Sequence, residues 1–152
     1  MPHLPSSYSC YIEPFVGSGA LFLNVRPKKW IINDVNADLI NVYNVIKDNP
    51  KRLVNRIKHF SVATDFEKLD KKDKLIEARK FVKGFEGLPY NIKRASVFIV
   101  AKFVAFMGYV VVDNKFDIPS LDIGIAFKTN PIYLFSQKYF DLIFDISRFL
   151  NI

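Results

Sequence analysis

The chain is short of the residues that staple or metallate small proteins. It has one cysteine, Cys10, so no intramolecular disulfide can form. Its two histidines, His3 and His59, stand far apart with no zinc-type spacing, and no metal site is expected. The opening residues MPHLPSSYSC carry neither a basic stretch nor an apolar one, so the expectation is no secretory signal and a cytoplasmic location. Neither an internal repeat nor a low-complexity tract is present. Acids are in deficit too: 15 Asp and Glu face 22 Lys and Arg, a formal net charge of +7. Such a balance favours polyanionic partners such as nucleic acid, though many basic proteins bind none.

Long hydrophobic runs are scarce, with one exception. Ala95 to Val112 is almost unbroken and, at 18 residues, reaches the lower bound for a membrane-spanning helix. Lys102 sits near its middle, where a charge costs roughly 2.5–3.5 kcal/mol on insertion. Gly108 interrupts the run, and Tyr109 to Val112 is strand-like in composition. A buried helix followed by a buried strand is the reading adopted, with no membrane as partner.

What is present is an ordinary globular composition. Half of the 152 residues are hydrophobic and 24% are charged, enough for one domain with a core. Tyr11 to Phe15 reads as a strand, Gly19 to about Asn24 as a helix, and residues 28–34 (KKWIIND) as a second strand. Leu39, Tyr43 and Ile46 then fall at helical spacing behind Asn36, an N-cap residue type. Asn49-Pro50 closes that helix and starts another, with Leu53, Val54, Ile57 and Phe60 on one face and basic residues on the other. Ser61 to Lys74 reads as a polar linker. Helices over Leu75–Phe85, Ile92–Phe106 and Ser136–Leu150 follow, with a hairpin around Asp113-Asn114. A strand–helix–strand opening suits a parallel pair in an α/β layer, with a mostly helical remainder.

Chemistry concentrates in YIEPFVGSGALF, residues 11–22. Gly17 and Gly19 flank Ser18 where a strand gives way to a helix, so the backbone can turn sharply and a ligand can approach without meeting a Cβ. The N–H groups of a first helical turn favour an anionic group. Asp34 ends the second strand, 15 residues after Gly19. An acid there hydrogen-bonds ribose hydroxyls in nucleotide-binding βαβ units. Phe22 stands where a dinucleotide fingerprint has its third glycine, so an adenosine-containing ligand other than NAD is favoured.

EPFVGSGALFLN followed by INDVNADLINVYNVIKDNP resembles the opening half of the Dam-type adenine-specific DNA methyltransferases. These show a Glu-Pro-Phe-x-Gly-x-Gly turn and then a strand ending in Asp-x-Asn-x-x-Leu. The likeness is close over residues 11–50 and looser beyond, where RASVFIVAKFVAFMG and KFDIP resemble the helix and recognition hairpin of the family. It implies a partial Rossmann-like methyltransferase core over residues 1–60, and a helical, DNA-recognition-like region with a hairpin over 61–152. The implied cofactor is S-adenosylmethionine, and the implied partner is double-stranded DNA. Phe15, Gly17, Ser18 and Gly19 would surround the methionine end, with Glu13 beneath shaping the turn or binding the amino group. Asp34 would hold the ribose hydroxyls and Val35 would lie against the adenine. The reaction implied is methyl transfer to the exocyclic amine of a flipped-out adenine.

Three departures accompany the resemblance. The ten residues before Tyr11 contain no Lys-Trp-Ala-Gly-Gly-Lys-like segment, and no two prolines are adjacent, so the family's Asp-Pro-Pro-Tyr is absent. NPIY at 130–133 is its nearest look-alike and reads as a turn. Phe106-Met107-Gly108, with Val111 nearby, replaces the Phe-Asn-Gly and Arg that suit base-edge contacts. The expectation is therefore a fragment with its cofactor residues and no catalytic residue. The alternative is an inactive remnant, or half of a split enzyme whose complementary chain carries the missing motifs.

Overall fold

The computed structural model describes residues 4–65, 68–70, 73, 76–77, 80, 87–106 and 137–152. Strand β1 (Tyr11–Glu13) pairs in parallel with β2 (Trp30–Ile32), in the register Tyr11↔Trp30, Ile12↔Ile31 and Glu13↔Ile32. Both strands are shorter than the sequence suggests. Pro14 has no N–H to give a ladder, and Asn33 instead donates to the Glu13 carbonyl at 3.0 Å as the chain leaves the sheet. The crossover contains helix α1 (Phe22–Val25), which begins three residues later than predicted. Gly19 lies at φ +73°, a value no α-helical residue adopts. Arg26 ends α1 in the left-handed region at φ 47°.

Helix α2 (Ala37–Asp48) starts as the sequence predicts. The Asn36 side chain accepts from the N–H groups of Asp38 and Leu39 at 3.0 and 3.1 Å. Pro50 is the first residue of α3 (Pro50–Thr64), which buries Leu53, Val54, Ile57 and Phe60. Because α3 continues to Thr64, the first four residues of the predicted linker are helical. Helix α4 (Ile92–Phe106) is capped by the Asn91 carboxamide, which accepts from Lys93 and Arg94 N–H at 2.9 and 3.2 Å. Residues 94–100 are all buried, so the first part of the long apolar run is core helix. Among the described residues no helix is long and apolar enough to cross a membrane. Helix α5 (Gln137–Leu150) buries Tyr139, Phe140, Ile143, Ile146, Phe149 and Leu150. The predicted hairpin, NPIY and most of the helix expected over 75–85 lie outside the described residues.

One core joins these elements. Phe22, with no exposed surface, packs against Phe149 at 5.0 Å and edge-on to Trp30 at 5.1 Å between ring centres. The end of α5 thereby seals the strand pair. The Asn151 carboxamide and the Ser147 hydroxyl also donate to the Lys47 carbonyl at 2.9 and 3.3 Å, satisfying an acceptor in the last turn of α2. On the opposite side of the sheet, the register partners Ile12 and Ile31 are 63% and 57% exposed.

Among the described residues two ion pairs tie the elements, and exposure separates their weight. Arg94 of α4 grips Asp38 in the first turn of α2 through two nitrogens, with Nη2–Oδ2 at 3.0 Å, while Nη1 donates to the Leu88 carbonyl at 2.8 Å. Those side chains are only 11% and 17% exposed. Arg26 and Asp145 pair across α1 and α5 but are 44% and 39% exposed.

Removing one partner of a buried pair costs about 3–5 kcal/mol, against at most about 1 for an exposed one. Urea denaturation should therefore show Arg94→Ala far less stable than Asp145→Asn. Arg26 holds the Asp145 carboxyl below its ordinary value of 3.8, first through the hydrogen bond between them. The folded value lies under the unfolded one, so this contribution is complete above about pH 4 and lost as pH falls further. Asp145→Asn should flatten that acid-side dependence, seen as Tm against pH.

Candidate cofactor cleft

Parallel pairing delivers the ends of both strands to one edge. The turn after β1 (residues 14–21) and the loop after β2 (residues 33–36) therefore meet there. Their meeting is held by Asp34. Its Oδ2 accepts from Gly17 N–H at 2.9 Å, and its Oδ1 from Asn36 N–H at 2.9 Å. The Val16 N–H also donates to the Asn33 carbonyl at 2.9 Å. A carboxylate has about four acceptor positions, so one remains on each oxygen.

The glycine turn has an inner and an outer side. On the inner side, Gly19 N–H donates to the Val16 carbonyl at 2.8 Å, and Tyr43 of α2 donates its hydroxyl to the Gly17 carbonyl at 3.2 Å. A Cβ on Gly19 would lie 2.4 Å from that hydroxyl, so only glycine fits beneath it. On the outer side, Gly17 (φ +50°) has no atom within 4 Å of where a Cβ would stand. Among the described residues, no acceptor takes the N–H groups of Ser18 and Ala20. The turn amides open to a ligand thus include those of Ser18 and Ala20, and not those of the two glycines.

Two carboxylates face this turn. Glu13 accepts from the Tyr11 hydroxyl at 2.7 Å. Burial raises the Tyr43 phenol above its ordinary range, and the charges of Glu13 and Asp34 raise it further. Tyr43 is therefore a neutral donor throughout the physiological range. Among the described residues neither Glu13 nor Asp34 is paired with a Lys or Arg. With α1 only four residues long, little helix dipole offsets them. The edge therefore suits a cationic group beside the anionic one that the open N–H groups of the turn favour.

Apolar surface flanks the carboxylates. Phe15 is 80% and Val35 92% exposed, on the two converging loops. From Asp34 a cleft of about 660 Å³ runs along α2 to the start of α4, lined by Asn33, Asn41, Asn44, Asp48, Tyr90 and Asn91. The buried Asn41 carboxamide donates to the Asn91 carbonyl at 3.1 Å. The structure thus gathers Phe15, Gly17, Ser18, Gly19, Asp34 and Val35 at one edge, with Glu13 at the end of β1. Sequence reasoning missed Tyr43, taken there only as part of an apolar helix face. It also missed the Asn-rich wall, for which helical periodicity carries no signal. Among the described residues no cluster of His, Cys, Asp and Glu could hold a metal ion.

A parallel strand pair with a helical crossover, its glycine turn clipped by an aspartate, is an α/β arrangement. The model of the D12 class N6 adenine-specific DNA methyltransferases matches residues 1–120, and the chain belongs to that family. It is 32% identical over 126 residues to the type II methyltransferase M1.LlaDCHI of Lactococcus lactis subsp. cremoris, covering 78% of this chain and 42% of the relative. It is 43% identical over 61 residues to the DNA adenine methylase of Haemophilus influenzae, covering 40% of this chain and 21% of that one. With the DNA adenine methylase of Serratia marcescens it shares 53% over 45 residues, 30% of this chain and 16% of that one. The chain thus spans less than half the length of each of these curated relatives.

The inner side of the turn makes a coupled pair testable by denaturation. Tyr43→Phe should cost about 0.5–1.5 kcal/mol for one hydrogen bond. Gly19→Ala should cost more, because a left-handed alanine alone is about 1–2 kcal/mol worse and the collision adds to that. The double variant should be less destabilised than the sum, since the hydroxyl in the way is gone. Strict additivity would place the Tyr43 hydroxyl away from Gly19.

Proposed function

We propose that the chain carries the S-adenosylmethionine-binding half of an adenine-specific DNA methyltransferase. One observation supports this most: Asp34 clips the glycine turn at 2.9 Å and keeps a free acceptor position on each oxygen. Two adjacent free positions match the two adjacent hydroxyls of a ribose. The exposed Val35 side chain, next to Asp34, offers apolar contact to a flat base, and the exposed Phe15 on the facing turn offers it to the methionine end.

The chemistry of the donor set fits this cofactor. S-adenosylmethionine carries a sulfonium and an ammonium, and Glu13 and Asp34 supply negative charge without a basic counter-ion. Ser18 and Ala20 offer N–H groups suited to its carboxylate. When bound, the cofactor supplies an electrophilic methyl group. The residues of this chain orient it: Asp34 holds the sugar, the outer side of Gly17 lets the chain of the cofactor lie close, and Tyr43 keeps the turn in shape. The substrate in this reading is adenine in double-stranded DNA.

Handling of the target base falls to residues other than these, since the sequence contains no adjacent prolines and so no Asp-Pro-Pro-Tyr. The exposed Ile12–Ile31 pair, on a sheet of two strands among the described residues, favours a complementary partner segment that carries this motif and covers that face. In that reading the isolated chain binds cofactor and DNA without turnover.

Calorimetry with S-adenosylmethionine should show Asp34→Ala binding about 1.5–3 kcal/mol more weakly, the range for hydrogen bonds to a charged group. Unchanged affinity would remove Asp34 from the site. Labelled cofactor and mixed-sequence DNA should give no methylation with the purified chain alone. Turnover would eliminate the need for a partner segment.

A further inference from the structure

We infer that the outer face of α3 is a track for the phosphate backbone of duplex DNA, separate from the cofactor cleft. Its occupant rests on the DNA reading proposed above, while the surface itself is argued from charge and burial.

Helix α3 is the more basic of two neighbouring helices that lack acids, since α4 carries Lys93, Arg94 and Lys102 and likewise no Asp or Glu. Residues 50–64 contain Lys51, Arg52, Arg56, Lys58 and His59 and no Asp or Glu, in a chain with 15 acids. By contrast α2 mixes Asp38 and Asp48 with Lys47, and α5 mixes Asp141 and Asp145 with Lys138 and Arg148. Burial fixes the rotation of α3. Leu53, Val54, Ile57 and Phe60 face the core, which leaves Lys51, Arg52, Asn55, Lys58 and His59 exposed. Arg56 lies at the margin and donates to the Ser96 hydroxyl of α4 at 3.0 Å.

The exposed bases are not spent on acids of the same molecule. Among the described residues no carboxylate pairs with Lys51, Arg52, Lys58 or His59. The Lys58 ammonium rests over the Phe140 ring of α5, 4.6 Å from its centre, which steadies it without neutralising it. Lys51 to Lys58 spans about 10 Å of helix at ~1.5 Å per residue. That covers roughly three steps of one DNA strand at ~3.4 Å each. A rigid row of unpaired cations of that length suits a regular polyanion. Its contacts are to phosphates, so they position the duplex and read no sequence.

The test is fluorescence anisotropy of the intact chain with a labelled 20-base-pair duplex of mixed sequence, between 50 and 200 mM KCl. Arg52→Gln/Lys58→Gln keeps helix propensity and removes two charges from α3. Lys28→Gln/Lys29→Gln removes two exposed charges ahead of β2. The α3 variant should lower the slope of log K against log salt by about 1.8, at about 0.9 per lost phosphate contact. The β2 variant should leave the slope unchanged, and both should bind S-adenosylmethionine like the parent. An equal fall in both variants would reduce the effect to net charge and overturn the track, as would no fall in the α3 variant. Failure of the parent chain to bind duplex, or tighter binding to anionic vesicles than to duplex, would overturn the track and the DNA reading together. Retained cofactor binding in that case would leave the cleft assignment standing.

Discussion

The Asp34 carboxylate is the fastening on which the cleft depends. Strand pairing brings two loops to one edge, but it does not set their conformations. Asp34 does so by accepting from Gly17 N–H on one oxygen and Asn36 N–H on the other. Through Gly17 it fixes the glycine turn. Through Asn36 it fixes the residue whose side chain caps α2. Helix α2 in turn carries Tyr43, whose hydroxyl returns to the Gly17 carbonyl. Turn, strand end and helix thus form a closed circuit of hydrogen bonds around a single carboxylate. Such mutual support lets a glycine turn hold a defined shape.

The circuit is braced from the helical side. Asp38 lies in the first turn of α2, two residues after that cap, and Arg94 grips it from α4. The same Arg94 binds the Leu88 carbonyl and lies over the Tyr90 ring, so the approach to α4 is anchored to the cleft wall. From the far end, Phe149 of α5 packs on Phe22 and Trp30. Residues from both ends of the chain therefore stabilise a short βαβ unit that two three-residue strands would not hold alone. The cofactor edge and the basic face of α3 share this frame without sharing residues.

Much of this was legible in the sequence, for reasons that differ by element. The cap at Asn36, the break at Asn49-Pro50, the buried face of α3 and the extent of α5 follow from local chemistry and helical spacing, and they appear where predicted. The glycine turn and Asp34 were legible as a pair because βαβ geometry fixes their separation. The start of α1 was not, since nothing local states that Gly19 takes a positive φ until Tyr43 is placed above it. Likewise the direction of the glycine amides depends on Asp34 and Val16, partners that only the folded chain supplies. The attraction for a cationic group was hidden for the same reason: only in the folded chain do Glu13 and Asp34 come close enough together to raise the Tyr43 phenol.

The central claim is that the carboxylate-clipped turn receives S-adenosylmethionine on its outer side. Nitrogen-15 chemical shifts of the 17.6 kDa chain, followed as the cofactor is titrated, test it directly. The account predicts the largest shifts at the Ser18, Ala20 and Val35 amides, with smaller ones at Gly17 and Gly19, whose N–H groups are already bonded within the protein. Shifts confined to other segments, or none at saturating cofactor, would contradict it.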